Sequence, residues 1–248
     1  VAGSGSNIVL TQKLLDAYAA KTGPAVHIPP SIGTAGAVKA LLADALDLGL
    51  ASRPLKETER AAGLREIGYA RLGVVIGAHA SVPDDSIGAE DLTAIYRSSK
   101  RTWSNGKTII VLAREAGDSS NMVLERLVPG FKEALAEALG KKRWDVFYTD
   151  QDEFEAARAT PNSLSLLDTS ALTYLAPAVK ALKYEGTEPS LENIAGGAYP
   201  FWKDLTFIYR ERLTPAAQRF VDFVLSDEGT ALLRKHGALP VPVANGPR

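Results

Sequence analysis

Thr108-Ile109-Ile110-Val111-Leu112-Ala113-Arg114-Glu115-Ala116-Gly117-Asp118-Ser119-Ser120-Asn121 reads in three parts. Thr108 to Ala113 is a short, β-branched, apolar run of the buried-strand type. Arg114 closes it. A glycine and four small polar residues follow, and Ser119 to Leu139 then carries a mostly helical pattern that Pro129-Gly130 interrupts. A strand that ends in a small-polar turn and runs straight into a helix is the repeating piece of an α/β protein.

The same alternation extends on both sides. Upstream, Asn7 to Thr22 places Ile8, Leu10, Leu14, Leu15 and Tyr18 at helical spacing. Ala35 to Leu46 does so with Val38, Leu41, Leu42 and Leu46. Asp47 to Leu50 is short and apolar, and Ala51-Ser52-Arg53-Pro54 breaks it. Gly73 to Gly77 is a second buried-strand run, and Ala89 to Tyr96 is a helix with an acidic first turn. Downstream, Leu205 to Tyr209 is a strand, and Pro215 to Leu225 with Glu228 to Lys235 is a closing helical pair. Tyr184 to Pro200, rich in Gly, Pro and Glu, is expected to be a surface connection. The pattern predicts α/β lobes with mixed or parallel sheets, whose ligands bind at the carboxyl ends of strands.

Composition narrows the function. The chain has 248 residues, 46% of them hydrophobic, enough for one large domain or two small lobes. Lys plus Arg is 28 against 29 for Asp plus Glu, so no overall field recruits nucleic acid or an anionic membrane. There is no cysteine, which excludes a disulfide framework, thiol catalysis and Cys-ligated zinc. His27, His79 and His236 stand far apart without ligand spacing, so no metal and no cofactor is expected. No apolar run reaches the roughly 18 residues of a membrane span. The front of the chain has no signal-peptide pattern; a leader is expected to have been removed.

The small-polar turn recurs. Gly3-Ser4-Gly5-Ser6-Asn7 and Ser31-Ile32-Gly33-Thr34-Ala35-Gly36 each precede a helix, as Gly117 to Asn121 does. Helix starts offer unpaired N–H donors and the positive end of the dipole, so several aimed together make an oxyanion site. The plainer reading is ordinary N-capping, worth about 1 kcal/mol per helix. Arg114 tips the balance toward a ligand, because a guanidinium beside a helix start pairs bidentately with a tetrahedral anion. Its alternative is an internal salt bridge to Glu115 or Asp118. Arg53 is a second candidate, with a solvated loop charge as its alternative. Trp103, Trp144 and Trp202 are expected to serve packing, and Lys141-Lys142-Arg143 to be a solvated helix end.

Taken in order, these motifs resemble a known family. Gly3 to Asn7, Gly33-Thr34-Ala35-Gly36, Asp47 to Leu55 and Arg114 to Ser120 follow its sequence of motifs. Tyr199-Pro200-Phe201, Phe220 to Gly229 and His236 to Val241 fit its C-terminal part. The chain is similar to the phosphate-binding periplasmic proteins of ABC transporters, with the type II solute-binding fold. The resemblance implies two lobes, residues 1–76 with 204–248 and residues 77–203, joined by crossing strands near Val74 to Ala78 and Leu205 to Tyr209. By matching position it implies that Ser6, Asn7, Thr34 and Ser52 donate from lobe one and that Arg114, Asp118, Ser119 and Ser120 contribute from lobe two, with Arg53 kept as a further candidate contact from its own reading. The implied protein is a monomeric, extracytoplasmic receptor that hands a small oxyanion, phosphate above others, to a membrane ABC permease.

Two departures stand out. Ser52 occupies a position where some members carry an aspartate. Asp118 stands where a hydroxyl donor is usual, so two roles are open to it: acceptor for a ligand hydroxyl, or helix cap paired with Arg114. Other functions find less support. No Gly-x-Ser-x-Gly elbow followed by a histidine is present, nor a phosphate-binding Gly-x4-Gly-Lys loop, so an enzyme is not expected. A sensory receptor, or one for another small anion such as a carboxylate, remains compatible with the same motifs.

Overall fold

The computed structural model describes residues 1–23 and 26–241. The chain divides into two compact units: Val1–Leu72 together with Asp204 onward, and Gly73–Lys203. The second is thus inserted into the first.

The first unit begins with β1 (Ala2–Gly3), α1 (Gly5–Thr22), α2 (Gly33–Leu42), β2 (Gly49–Ala51), α3 (Glu57–Ala61) and the opening half of β3 (Leu64–His79). It resumes in β10 (Trp202–Arg210), α10 (Pro215–Leu225), α11 (Asp227–Lys235) and β11 (Leu239–Pro240), the numbering running on through the insert. Its strands lie in the order β1-β2-β10-β3, with β11 also on β3. β1 is parallel to β2, and β10 is antiparallel to it, with Phe207 opposite Leu50. Leu10, Leu14 and Leu15 of α1 and Phe220, Val221 and Val224 of α10 bury against Leu48, Leu50, Leu72, Leu205 and Phe207. Tyr69 stacks on Phe207 with ring centroids 4.1 Å apart.

The inserted unit contains β4 (Ser86–Ile87), α4 (Ala89–Tyr96), β5 (Ile110–Arg114), α5 (Ser119–Leu127) and α6 (Phe131–Gly140). β6 (Val146–Phe147), α7 (Asp150–Ala159), β7 (Ser163–Asp168), α8 (Thr169–Leu175), β8 (Val179–Ala181), β9 (Lys183–Tyr184) and α9 (Leu191–Ala195) complete it. The closing half of β3 pairs antiparallel with β7 and β8, and β7 and β6 flank β5 in parallel. These are the mixed sheets with flanking helices that the alternation predicted. Val75, Ile76, Leu112, Leu164 and Leu166 are buried along these strands.

Several elements differ from the sequence pattern in extent. β3 runs 16 residues where only Gly73 to Gly77 stood out, because Arg65, Glu66, Gly68 and Arg71 interrupt the apolar run upstream. The second helix stops at Leu42, and its apolar spacing carries on into a turn. The stretch from Tyr184 to Pro200 is no plain surface connection: α9 lies inside it and the Tyr199 side chain is fully buried. Arg143 is tied down instead of solvated, donating to the Tyr96 carbonyl at 3.0 Å, while Lys141 and Lys142 are exposed. Trp103 is buried and Trp144 meets Tyr96 edge-on, so both serve packing. Among the described residues, no helix is long and apolar enough to cross a membrane.

Candidate functional site

In the first unit, three segments far apart in sequence are knitted together at the start of two helices. The Ser4 backbone N–H donates to the Leu50 carbonyl at 3.0 Å, and Ile32 N–H donates to Gly3 O at 3.1 Å. The Ser4 and Ser52 hydroxyls are 2.8 Å apart. Ser52 N–H donates to the Thr34 hydroxyl oxygen at 3.3 Å, which leaves the Thr34 proton to be given elsewhere. Ser4 is the N-cap residue of α1, yet its side chain does not cap the helix; neither does Ile32 cap α2. Neither N-cap side chain covers its helix start, although the Ser31 hydroxyl, one residue further back, accepts from the Gly33 N–H at 3.2 Å. The polar side chains of these two turns hold segments to one another, and the first-turn N–H groups are not covered by an N-cap side chain.

The candidates in this unit separate into two groups. Ser6, Thr34 and Ser52 sit on or beside the helix starts, with Ser6 and Ser52 buried. Asn7 is fully buried and its amide is spent on the Ala51 carbonyl at 3.2 Å and the Tyr69 hydroxyl at 3.0 Å. Thr11 shares that hydroxyl at 3.1 Å. Burial of the ring pushes the Tyr69 phenol up to about 12, against which its bonds to Thr11 and Asn7 work. Arg53 forks onto Glu59 at 2.8 and 2.9 Å and also reaches the Pro54 carbonyl at 2.8 Å. Glu59 is held down at about 2, chiefly by its bond to that guanidinium. Asn7 and Arg53 thus carry structural ties: both amide protons of Asn7 are committed, whereas the guanidinium of Arg53 keeps further N–H donors beyond these bonds. Neither burial nor a committed ion pair six residues away is visible in spacing.

In the inserted unit, Arg114 ends β5 with its side chain buried, and it meets four carboxylates. Its nitrogens lie 3.3 Å from Glu115, 3.4 Å from Asp118, 3.4 Å from Asp150 and 3.3 Å from Glu153. Burial opposes the charge, but Asp150, Asp118, Glu153 and Glu115 together hold the guanidinium ionised more firmly than a free arginine. Burial pushes Asp150 up, with Arg114 and Lys203 pulling back. Burial also raises Glu153 well above the carboxylate range, and its Oε1 has no partner among the described residues.

Asp118 caps α5: one oxygen accepts from Ser120 N at 2.9 Å and Asn121 N at 3.2 Å, and the other faces Arg114. Of the two roles open to it, the structure thus contains the cap and the pairing. Ser119 and Ser120 follow in the first turn, and both hydroxyls accept from Lys203 Nζ, at 3.5 and 3.0 Å. Lys203 is buried and lies 3.8 Å from Asp168, whose other oxygen caps α8 through Ser170 and Ala171.

Lys203, Asp150, Glu153 and Asp168 escaped the sequence reading. Asp168-Thr169-Ser170 carried a usable signal, being another strand that ends in a small-polar turn. Asp150 and Glu153 looked like any acidic first turn, because nothing in spacing says that a helix face is buried. Lys203 had no signal at all.

A family model described as a PBP superfamily domain matches residues 1–228. The chain belongs to the PBP superfamily. This PBP-superfamily chain is 26% identical over 156 residues to a phosphate-binding protein, PstS 2, of Streptococcus agalactiae, a match spanning 58% of the chain and 50% of that protein. It therefore spans about half the length of the curated relatives it matches. Among solved structures, one described as a phosphate ABC transporter substrate-binding protein with bound phosphate, from Clostridium perfringens, superposes with a TM-score of 0.83 at 24% identity. That match covers 97% of this chain and 98% of the other. An ABC-type phosphate transport receptor from Vibrio cholerae gives 0.67 at 18% identity, again over 97% and 98%. These likenesses establish the fold, which is that of the type II solute-binding proteins.

Proposed function

We propose that this chain is a non-catalytic receptor for a small tetrahedral oxyanion, phosphate first, which it delivers outside the cytoplasm to a membrane ABC permease. The observation that carries the reading is the pair of helix starts, neither covered by its N-cap side chain, held together by Ser4, Ser52 and Thr34. Such starts attract anions without any net positive charge on the protein. The buried guanidinium of Arg114, beside the start of α5, supports it from the inserted unit. The relatives named for phosphate binding and phosphate transport point the same way.

Asp118 favours a guest that carries a proton. A carboxylate next to the guest accepts a hydrogen bond from a protonated oxyanion and repels a bare one, so phosphate is preferred over sulfate.

Isothermal titration of ligand-stripped protein with inorganic phosphate, sulfate and a small dicarboxylate tests the proposal. Phosphate should bind tightest. Thr34→Ala and Ser52→Ala should each weaken it by about tenfold or more, the equivalent of ~1.4 kcal/mol. Asp118→Ser, which keeps a capping oxygen but removes the charge, should narrow the preference for phosphate over sulfate. A protein that binds none of the three anions, or binds the dicarboxylate best, overturns the reading.

A further inference from the structure

We infer that Lys203 is a positioning residue for anion binding: it fixes the Ser119 and Ser120 hydroxyls as donors toward the guest. The inference rests on the proposed oxyanion reading. Lysine carries three donors and no acceptor, whereas a serine hydroxyl has one proton and two lone pairs. When Nζ donates to both serine oxygens, each hydroxyl proton must turn away from the ammonium. Among the described residues neither Ser119 nor Ser120 gives its hydroxyl proton to an acceptor. Both protons are therefore available, side by side in the first turn of α5, to a group that only accepts.

Lys203 is held in place by buried carboxylates, Asp168 and Asp150 both attracting its ammonium. Cations favour the C-terminal ends of helices, and this one is buried against the N-terminal turn of α5, where the dipole opposes it. Asp168 holds the ammonium there from the other side, with its remaining oxygen anchored by the start of α8.

A double-mutant cycle read by titration with inorganic phosphate decides the matter. Lys203→Met should weaken phosphate by about tenfold or more in the otherwise unchanged protein, yet by less than about threefold in a Ser119→Ala/Ser120→Ala background, since coupled residues lose additivity. Lys203→Gln removes the charge but keeps a donor, and should fall between the two. The cycle is read on whichever variant melts cooperatively without ligand. A loss of equal size with and without the serine hydroxyls means that Lys203 acts through charge or folding alone, and overturns this inference while leaving phosphate binding intact. Unchanged protein that binds no phosphate removes the parent reading and this one with it.

Discussion

Arg114 and its four carboxylates set the chemistry of the inserted unit at the scale of single residues. Two of those carboxylates, on Asp150 and Glu153, are pushed up by burial. Burial makes the folded protein hold the Glu153 proton to higher pH than the unfolded chain, whose ordinary value is 4.5, with Arg114 working against that shift. The folded state then binds more protons, so stability falls as pH rises from that value through the raised folded one, and the contribution is fully present only below it. The stability contributed by Glu153 should therefore decline as pH is raised above 4.5, and Glu153→Gln should remove that part of the pH dependence of the melting temperature. An unchanged slope in the variant means that Glu153 is ionised throughout. At the same scale, Tyr69→Phe removes the hydroxyl that Asn7 and Thr11 share, and should cost roughly 1–3 kcal/mol in chemical denaturation, because buried polar partners are left unmatched.

Between elements, the fit of the β1 turn against β2 leaves no room for a side chain. A Cβ on Gly3, whose φ is +156°, would lie 2.1 Å from the Leu50 carbonyl oxygen. Gly3→Ala should therefore destabilise the first unit by more than about 3 kcal/mol, beyond the usual range of roughly 0.5–3 kcal/mol for a single substitution. A denaturation midpoint within error of the parent protein would refute that. Reading such elements in advance succeeded where pattern and burial coincide. Apolar spacing revealed α1, β5 and the α10–α11 pair, and the small-polar turns marked the helix starts. It failed where charge sits inside structure: the first half of β3, with Arg65, Glu66 and Arg71, and the buried acidic face of α7. Arg53 looked like Arg114 in the sequence, a cation beside a turn; both are ion-paired in the structure, and burial separates them, Arg114 being buried and Arg53 only partly so. Hydroxyl, guanidinium and carboxylate were foreseeable as residue types, and so were the near partners Glu115 and Asp118 of Arg114; Asp150 and Glu153 were not, because they come from a separate helix.

For the molecule as a whole, binding and stability are one measurement. A ligand that binds only the folded state adds RT ln(1 + [L]/Kd), or about 2.7 kcal/mol at a hundredfold excess over Kd. Inorganic phosphate should therefore raise the melting temperature in a concentration-dependent way, and sulfate at equal ionic strength should do so less. Equal shifts from both salts would indicate a general salt effect. With a net charge of −1, the chain has no global attraction for anions. Its on-rate for phosphate should accordingly depend weakly on ionic strength compared with a strongly basic protein.

The order in which the first unit is assembled follows from its sheet. β10 lies between β2 and β3, yet all of it past Lys203 is translated after the inserted unit. On the ribosome, the insert is complete while its host still lacks its central strand and both closing helices. A nascent chain arrested after Lys203 would present β2 and β3 as two open edges facing a gap one strand wide, a surface that invites chaperones or a stray strand until Asp204 to Arg210 emerges.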